Sequence, residues 1–261
     1  MIDTKQLLEL TKKVVVQAAL DIVFQENSVF LKKHEFLLDI DREVKAVADT
    51  TLEEYIVTRL AISGIPMLSE ESGVIGNVED SDYIFIIDPL DGTFNFIKNF
   101  GVCAISVALW CKDEPIFGVI YDLSCKKLYW GGKSFGAFCD EKKINVSSST
   151  DIKKSLVCSG FPVRYDLQDI YSDNYMTVLS SFSKVRMIGT AAMSIVNVAK
   201  GVADAYFEKN IMIWDVAAGL AIIEGAGGSY SLKNTQIENS LDITASNKQL
   251  LDKINGIINE R

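Results

Sequence analysis

The amino-acid sequence predicts an α/β protein in which helical layers and β-sheets are stacked on one another. Apolar residues recur with helical spacing over residues 3–26 and 50–62. Short apolar segments separated by turn residues fill residues 65–130, which is typical of strands. Beyond about residue 155, predicted strands and helices alternate. Helices and strands on both sides of a strand-rich middle indicate stacked α and β layers.

The first half of the chain is predicted to contain two helices followed by most of the strands. Leu7, Leu10 and Val14 share one apolar face of the first helix. Thr50 and Thr51, with acidic residues three positions later, resemble the N-terminal cap of the second helix. The glycine-rich run that follows the strands predicts a hairpin turn. The predicted strands are residues 65–68, 83–87, 102–110, 116–123 and 127–130, and the turn is residues 131–136.

The second half of the chain is predicted to alternate between strands and helices. Gly225 directly follows the last of these helices, where glycine is a common terminator. The serines at 147–149 are the best boundary, so we expect halves of residues 1–148 and 149–261 within one compact unit. The predicted elements are strand 156–159, helix 170–183, strand 185–188, helix 191–200, strand 203–208 and helix 214–224.

Composition places the chain among ordinary globular proteins with an acidic surface. Its 261 residues are enough for one large domain or two closely packed ones. Hydrophobic residues make up 48% and charged residues 23%, which excludes a disordered chain. The 26 basic and 35 acidic side chains give a net charge of −9. This balance argues against a general nucleic-acid binder, because phosphate backbones are bound mainly by Lys and Arg.

The chain carries no sequence signal of export or of membrane insertion. Its first residues lack the basic flank and cleavage site of a signal peptide, and no apolar run approaches the ~20 residues of a membrane span. The five cysteines contain no CxxC pair, so we expect reduced thiols and a cytoplasmic protein. The single histidine, His34, excludes two-histidine metal centres and leaves any Ser-His-Asp triad dependent on that residue alone.

The segment at residues 86–96, IIDPLDGTFNF, is the most informative part of the sequence for predicting a functional site. An apolar strand ends at Asp88, and Pro89 turns the chain while removing one backbone donor. The carboxylates of Asp88 and Asp91 and the carbonyl of Leu90 are then free to face one point. Three hard oxygen ligands within four residues suit Mg²⁺. The alternative interpretation is a solvated turn, which is common for a sequence of this kind.

The residues that follow this turn are suited to a phosphate group. Gly92 allows close approach of the backbone, and Gly92 and Thr93 can present N–H groups at the start of a helical turn.

Two further acidic clusters have the same relation to secondary structure. Glu70 and Glu71 follow an apolar strand, and Asp215 opens a predicted helix, where the helix dipole favours a negative charge. Taken alone, the two glutamates are also consistent with a solvated loop, and Asp215 with a plain helix N-cap.

Taken together, the motifs resemble the inositol monophosphatase family of magnesium-dependent, lithium-sensitive phosphatases. They are SEES at 69–72, DPLDGTFNF at 88–96, and WDVAAG at 214–219 followed by EGAGG at 224–228. Their order and separations also match, and the resemblance extends over nearly the whole chain, being weakest over the first 45 residues. It implies a layered α/β/α/β/α sandwich, commonly a homodimer, that hydrolyses a small-molecule phosphate monoester.

The resemblance implies a metal centre of two Mg²⁺ ions, with Mn²⁺ as a substitute. By resemblance, Glu70, Asp88, the Leu90 carbonyl and Asp91 bind metal, and Asp215 completes a second site beside Asp88 and Asp91. A third, looser ion is left open, because the sequence ahead of residue 49 differs from the usual family pattern. Such ions lower the pKa of a bound water and neutralise the leaving oxygen, so no nucleophilic histidine or cysteine is needed.

The same resemblance implies roles for residues around the metal centre. Thr93 is implied to orient the attacking water together with Glu70, and Asp49 is implied to assist Thr93. Glu208 matches a glutamate that accepts a hydroxyl group from inositol or a similar polyol, the alternative being an exposed charge at a strand end. The implied substrate-binding residues are Asp91, Gly92, Thr93, Ala191, Glu208 and Asp215.

Inositol monophosphate, or a related sugar or polyol phosphate, is therefore the predicted substrate. The alternatives on the same scaffold are 3′(2′),5′-bisphosphate nucleotidase, fructose-1,6-bisphosphatase and histidinol-phosphatase activity, and, less favoured, a non-catalytic binding protein. Arg164 is open to two interpretations, a substrate contact or a solvated loop residue. Neither nucleic acid nor a membrane is an expected partner.

Overall fold

Two β-sheets and three layers of helices form the fold, which we describe from a computed structural model. The structure describes residues 2–24, 47–79, 81–161 and 174–259. The expectations for His34 and Arg164 lie outside the described residues. Within these ranges, no helix is both long and apolar enough to cross a membrane.

The larger sheet has eight strands. They are β1 (Met67–Ser69), β2 (Gly73–Ile75), β3 (Tyr83–Asp91), β4 (Ala104–Cys111), β5 (Glu114–Asp122), β6 (Lys127–Gly132), β7 (Gly136–Cys139) and β8 (Lys142–Lys143). Their order across the sheet is β2-β1-β3-β4-β5-β6-β7-β8. Only the β1–β3 pair is parallel among these strands. The central strands β3 to β5 are buried along most of their length, as expected for a sheet that is covered on both faces.

Helices α1 (Thr4–Ala18) and α2 (Val47–Leu60) cover one face of this sheet. The side chain of Asp3 caps α1 by accepting hydrogen bonds from the backbone N–H groups of Lys5 and Gln6. A π-helical turn (Ala19–Val23) continues α1, and a 3₁₀ turn (Ala61–Ser63) continues α2. The helices pack mainly on β3 and β5 and form a continuous apolar core with them.

The predicted cap of the second helix was wrong. The described part of α2 already begins at Val47, so Thr50 and Thr51 lie inside the helix. Both hydroxyls donate to the Val47 carbonyl, at 3.2 and 2.8 Å. A threonine that bonds back to the preceding turn in this way is tolerated within a helix. Glu53, one of the acidic residues that suggested a capping box, instead accepts hydrogen bonds from Ser72.

The smaller sheet has five strands. They are β9 (Leu156–Cys158), β10 (Lys184–Arg186), β11 (Ala205–Met212), β12 (Ser229–Asn234) and β13 (Ser240–Ser246). Their order is β10-β9-β11-β13-β12. Strand β9 is parallel to both of its neighbours, whereas β13 is antiparallel to β11 and β12.

The remaining helices complete the layers. They are α3 (Thr93–Ile97), α4 (Tyr175–Ser181), α5 (Ala191–Ala199), α6 (Ile213–Gly225) and α7 (Lys248–Asn259). Helices α5 and α6 lie between the two sheets, and α4 and α7 cover the outer face of the smaller sheet. The order of layers is therefore α/β/α/β/α, and the predicted fold class is confirmed.

Helix α6 is the centre of the molecule. Its residues from Val216 to Ile223 are all buried, as expected for a helix that is apolar on every side. It packs against the larger sheet through Gly118 of β5, where a Cβ atom would lie 2.0 Å from the carbonyl oxygen of Ala218. Only glycine permits this close approach. The resulting contact places the N-terminus of α6 beside the end of β3.

Most predicted elements are present, with shifted boundaries. The strand predicted for 203–208 continues to Met212 as β11, and the helix predicted for 170–183 is described from Tyr175 to Ser181 as α4. The predicted boundary at 147–149 lies in the segment between β8 and β9, which links the two sheets. Because α5 and α6 share one core with strands of both sheets, the division into two halves stays a prediction.

Candidate active site

The end of β3 has an irregular backbone that brings two carboxylates together. Asp88 pairs with Ser106 and Asp91 with Ala104, so the two residues between the aspartates face a single residue of β4. Such a bulge redirects the chain at an active site, and Pro89 fits there because its position needs no ladder hydrogen bond. The Asp88 side chain is held by the backbone N–H of Leu90, which donates to Oδ1 at 3.0 Å.

Asp88, Asp91 and Asp215 form one cluster, although Asp215 is far away in the sequence. One carboxylate oxygen from each residue lies within 4.8 Å of the other two. Asp88 is completely buried, and its Oδ2 has no hydrogen-bond partner among the described residues. None of the salt bridges in the described residues involves these three carboxylates. A buried, unpartnered carboxylate oxygen beside two other carboxylates fits a divalent cation with hard oxygen ligands.

The electrostatics of the cluster also fit a cation. Burial, followed by the charges of Glu70, Asp91 and Asp215, raises the pKa of Asp88 well above its usual range. Burial and the charges of Glu70 and Asp91 raise the pKa of Asp215 in the same way. Burial and the charge of Glu71 raise the pKa of Glu70 to about 8. These shifts arise mainly because burial disfavours the charged form and also because like charges repel, and a bound divalent ion would reverse them.

Asp91 is anchored on the N-terminus of α5. Thr190 donates its hydroxyl to Oδ2 of Asp91, and the N–H of Ala192 donates to the same oxygen at 2.7 Å. Burial raises the pKa of Asp91 to about 6, and these two hydrogen bonds oppose the rise. Thr190 and Ala192 both bind Oδ2, the backbone N–H of Ala191 is a further donor to Asp91, and one carboxylate oxygen of Asp91 also belongs to the cluster.

Asp215 occupies the third position of α6 and not its N-cap. Met212 is the N-cap residue, and its backbone N–H donates to Oδ2 of Asp215 at 3.2 Å. The prediction that Asp215 opens the helix is therefore only partly correct. Asp215 lies in the first turn, where the helix dipole still favours its negative charge.

Thr93 and Asp49 are in direct contact. The Thr93 hydroxyl lies 2.7 Å from Oδ1 of Asp49 and 2.9 Å from the Leu90 carbonyl oxygen. Both partners are acceptors, so the single hydroxyl hydrogen is used and only lone pairs of Oγ1 are left.

The loop that holds Glu70 is attached to α2, because Glu53 accepts hydrogen bonds from the backbone N–H of Ser72 at 3.0 Å and from its hydroxyl at 2.6 Å.

The structure also brings the remaining predicted residues to this region. Gly92 has φ +86°, and a Cβ atom there would lie 3.1 Å from the Val102 carbonyl oxygen, so glycine is required. Ala191 is buried at the first position of α5, directly after the threonine that binds Asp91. Glu208 lies in β11 near the cluster, and burial, followed by the charge of Asp91, raises its pKa to about 7. Glu208 is buried, so the alternative of an exposed strand-end charge was wrong.

Two residues that organise the site were not predicted. Thr190 also accepts from the Met193 N–H at 3.2 Å as the N-cap of α5, and a threonine before an apolar helical run is a recognisable cap signal. Asn95 donates to the carbonyl of Val102 at 2.9 Å and to that of Ile188 at 2.7 Å, which ties α3 to the loop ahead of α5. Nothing in the sequence indicated the second of these contacts.

The fold and the carboxylate cluster together define a metal-dependent phosphatase. A sequence model of the inositol monophosphatase family matches residues 4–261, and the chain belongs to this family. It is therefore a phosphoric monoester hydrolase that acts on small-molecule phosphate esters.

Individual relatives agree with this assignment. An Aquifex aeolicus protein named fructose-1,6-bisphosphatase/inositol-1-monophosphatase is 35% identical over 258 residues, covering 97% of this chain and 96% of that protein. The structure of an inositol monophosphatase from Anabaena has a TM-score of 0.81 and 28% identity, covering 98% and 96% of the two chains. The extragenic suppressor protein suhB of Bartonella henselae has a TM-score of 0.83 and 26% identity, covering 98% and 99%.

Proposed function

We propose that the chain hydrolyses inositol monophosphate, or a related polyol phosphate, with Mg²⁺ bound by the carboxylate cluster. The observation that supports this most is the set of three carboxylate oxygens within 4.8 Å, one of them from the fully buried Asp88. Bound Mg²⁺ would supply positive charge that neutralises the phosphate and the leaving oxygen, and would make water a better nucleophile.

We assign the ligands of two ions to residues of this cluster. Glu70, Asp88, the Leu90 carbonyl and Asp91 would hold one ion, and Asp215 would hold a second together with Asp88 and Asp91. All are oxygen donors, which suits Mg²⁺ and also Mn²⁺. Calorimetric titration with either metal counts the ions, and a third, looser ion would appear as an additional weak phase.

The chain's own residues would orient the attacking water. Asp49 and the Leu90 carbonyl occupy the hydroxyl hydrogen of Thr93, so Oγ1 can only accept a hydrogen bond from water. The Glu70 carboxylate would accept the other hydrogen. A water held by two acceptors keeps its lone pairs for attack. Asp49 maintains this arrangement through Thr93. No covalent intermediate is needed.

Substrate binding is assigned to both sides of the cluster. The backbone N–H groups of Gly92 and Thr93 would bind the phosphate at the start of α3. Ala191 would leave room for the ring of a polyol, and Glu208 would accept one of its hydroxyl groups. The burial of Glu208 near Asp91 supports this role, because a hydrogen bond to a buried carboxylate is electrostatically stronger than one in water.

The metal assignment is tested by Asp88→Asn, Asp91→Asn and Asp215→Asn. Each variant should lower phosphate release from inositol monophosphate at saturating Mg²⁺ by about a hundredfold or more, because each removes one charged ligand. Asp252→Asn, on the exposed face of α7, is the matched control and should retain full activity. Undiminished phosphate release in any of the three cluster variants would contradict the assignment.

The substrate assignment is tested by a panel of esters at saturating Mg²⁺. It contains inositol monophosphate, fructose 1,6-bisphosphate, histidinol phosphate and an adenosine 3′,5′-bisphosphate. We expect the highest kcat/KM for inositol monophosphate. A preference for the adenosine bisphosphate would overturn the polyol assignment while leaving the phosphatase class intact.

Three further properties are proposed from the family resemblance. We expect inhibition by millimolar Li⁺, which the same assay measures. We expect a homodimer. Light scattering of the protein as it elutes from a size-exclusion column measures its mass, and the mass of a monomer would refute this expectation. The five free thiols support a reducing, cytoplasmic location, which cell fractionation tests and recovery outside the cytoplasm would contradict.

A further inference from the structure

Glu208 is held by hydrogen-bond donors on a rigid part of the fold. The Tyr206 hydroxyl donates to Oε2 of Glu208 at 2.6 Å, and the two side chains lie on the same side of β11 because they are two residues apart. The backbone N–H of Gly160, just after β9, also donates to the Glu208 carboxylate. Both Tyr206 and Glu208 are buried, so these contacts are shielded from water.

The loop at Gly160 is fitted closely around this carboxylate. A Cβ atom at Gly160 would lie 2.4 Å from each carboxylate oxygen of Glu208, so no larger residue fits without displacing it. Tyr175 of α4 donates its hydroxyl to the Gly160 carbonyl. Ser159 donates to the Phe207 carbonyl at 2.5 Å. The loop is thus attached to β11 at Ser159 and to α4 at Gly160 itself.

The backbone of β11 changes directly after Glu208. Regular pairing with β13 is interrupted between Glu208 and Ile211, and Asn210 has φ +52°. A bulge of this kind ends the regular ladder and directs a side chain at a site. Glu208 is the last residue before the irregularity, and it lies near enough to Asp91 for the two charges to interact.

We propose that Tyr206 is a positioning residue that holds Glu208 as the acceptor for a hydroxyl group of the substrate's leaving group, and that Gly160 provides the space and the second donor. The inference rests on the proposed function and adds to it the residues that hold Glu208 in place for a polyol hydroxyl group. A buried carboxylate that loses a donor is poorly satisfied, so an ester without that hydroxyl leaves Glu208 underpaired. The protein would thus discriminate between esters with and without this hydroxyl group through Glu208, an acceptor that is already in place before the substrate binds.

Steady-state kinetics of Tyr206→Phe on two esters test the proposal. Inositol monophosphate has hydroxyl groups on its leaving group, and phenyl phosphate has none. We expect kcat/KM for inositol monophosphate to fall roughly tenfold, mainly through KM, because one hydrogen bond to a charged group is lost. The value for phenyl phosphate should change less than about twofold. Tyr121→Phe, a buried tyrosine of β5, is the matched control and should affect neither ester.

A double-mutant cycle separates positioning from general destabilisation. If Tyr206 acts through Glu208, Tyr206→Phe should cause no further loss in a Glu208→Ala background. Gly160→Ala leaves the tyrosine unchanged, and it should lower kcat/KM for inositol monophosphate but not for phenyl phosphate, as Tyr206→Phe does. Gly256→Ala, where a new Cβ atom meets nothing within 4 Å, should be silent.

The outcomes distinguish the two proposals. If the unaltered protein with Mg²⁺ hydrolyses neither ester, the proposed function fails. If it hydrolyses both, and Tyr206→Phe or Gly160→Ala lowers kcat/KM equally for the two esters, the positioning role is overturned and the phosphatase remains. Full additivity of Tyr206→Phe with Glu208→Ala would overturn it as well.

Discussion

At the scale of single residues, Asp91 shows how one side chain can serve both the fold and the site. Its carboxylate is bound at Oδ2 by Thr190 and by the backbone of Ala192, and it also contributes an oxygen to the carboxylate cluster. The helix N-terminus stabilises negative charge at this point, which offsets part of the repulsion within the cluster. The same residue therefore fixes the start of α5 relative to β3.

The Thr93–Asp49 contact gives a prediction at this scale. We expect Thr93→Ala to lower kcat for inositol monophosphate by about a hundredfold, because the acceptor that would orient water is lost. Thr93→Ser keeps the hydroxyl and should restore most of the activity. Thr50→Ala, which removes an exposed helical hydroxyl that only bonds back to Val47, is the control. A kcat for Thr93→Ala equal to that of the unaltered protein would argue against the role of Thr93.

At the scale of elements, the close approach of α6 to β5 determines where the N-terminus of α6 lies. Gly118→Ala would place a methyl group against the Ala218 carbonyl, and the helix would have to move. We expect a loss of about 3 kcal/mol in the free energy of unfolding, measured by urea denaturation. Activity should fall as well, since Asp215 moves with its helix.

The control for this variant is Gly256→Ala on α7, which has free space around the glycine. A helical Gly→Ala change there should alter stability by less than about 1 kcal/mol, in the stabilising direction. If Gly118→Ala were as stable as the unaltered protein, the contact between α6 and β5 would be looser than described.

The elements also show which parts of the site are readable from sequence. Asp88, Asp91 and the turn between them are neighbours in the chain, so their convergence followed from local rules about strands, proline and oxygen ligands. The contacts of Thr190 with Asp91 and of Asn95 with Ile188 join residues 99 and 93 positions apart. Such pairs are decided by the packing of α5 beside β3, which no local pattern specifies.

Element boundaries were less predictable than element types, again for a physical reason. The cap expected at Thr50 and Thr51 was wrong because a threonine hydroxyl can satisfy either a helix N-terminus or a carbonyl of the preceding turn. Glu53, read as part of that cap, instead holds the Ser72 loop next to Glu70. The local sequence is the same in both cases, and tertiary contacts select between them.

At the scale of the whole molecule, the buried acids make stability depend on pH and on metal. Carboxyl groups whose pKa is raised in the folded state contribute stability that is fully present below about pH 4 and is lost as the pH rises through the folded pKa values. These values are about 6 for Asp91, about 7 for Glu208 and about 8 for Glu70. Without metal, the protein should therefore become less stable as the pH rises from 5 to about 8.5.

Thermal unfolding in EDTA measures this effect. We expect Tm to fall by about 5 °C or more over that range, and added Mg²⁺ to oppose the fall because it binds the ionised carboxylates. Asp88→Asn removes one of the repelling charges and should flatten the decline in EDTA. A Tm that stays constant across the range in EDTA would contradict the electrostatic account of the cluster.

The position of Asp215 on α6 has a consequence for synthesis of the protein on the ribosome. Asp88 and Asp91 are translated with β3, long before α6 emerges. A nascent chain that stops ahead of this helix contains two of the three carboxylates and lacks α6, the buried helix that packs against the larger sheet. The complete cluster can form only after α6 has been translated, so we expect a product truncated ahead of α6 to be inactive.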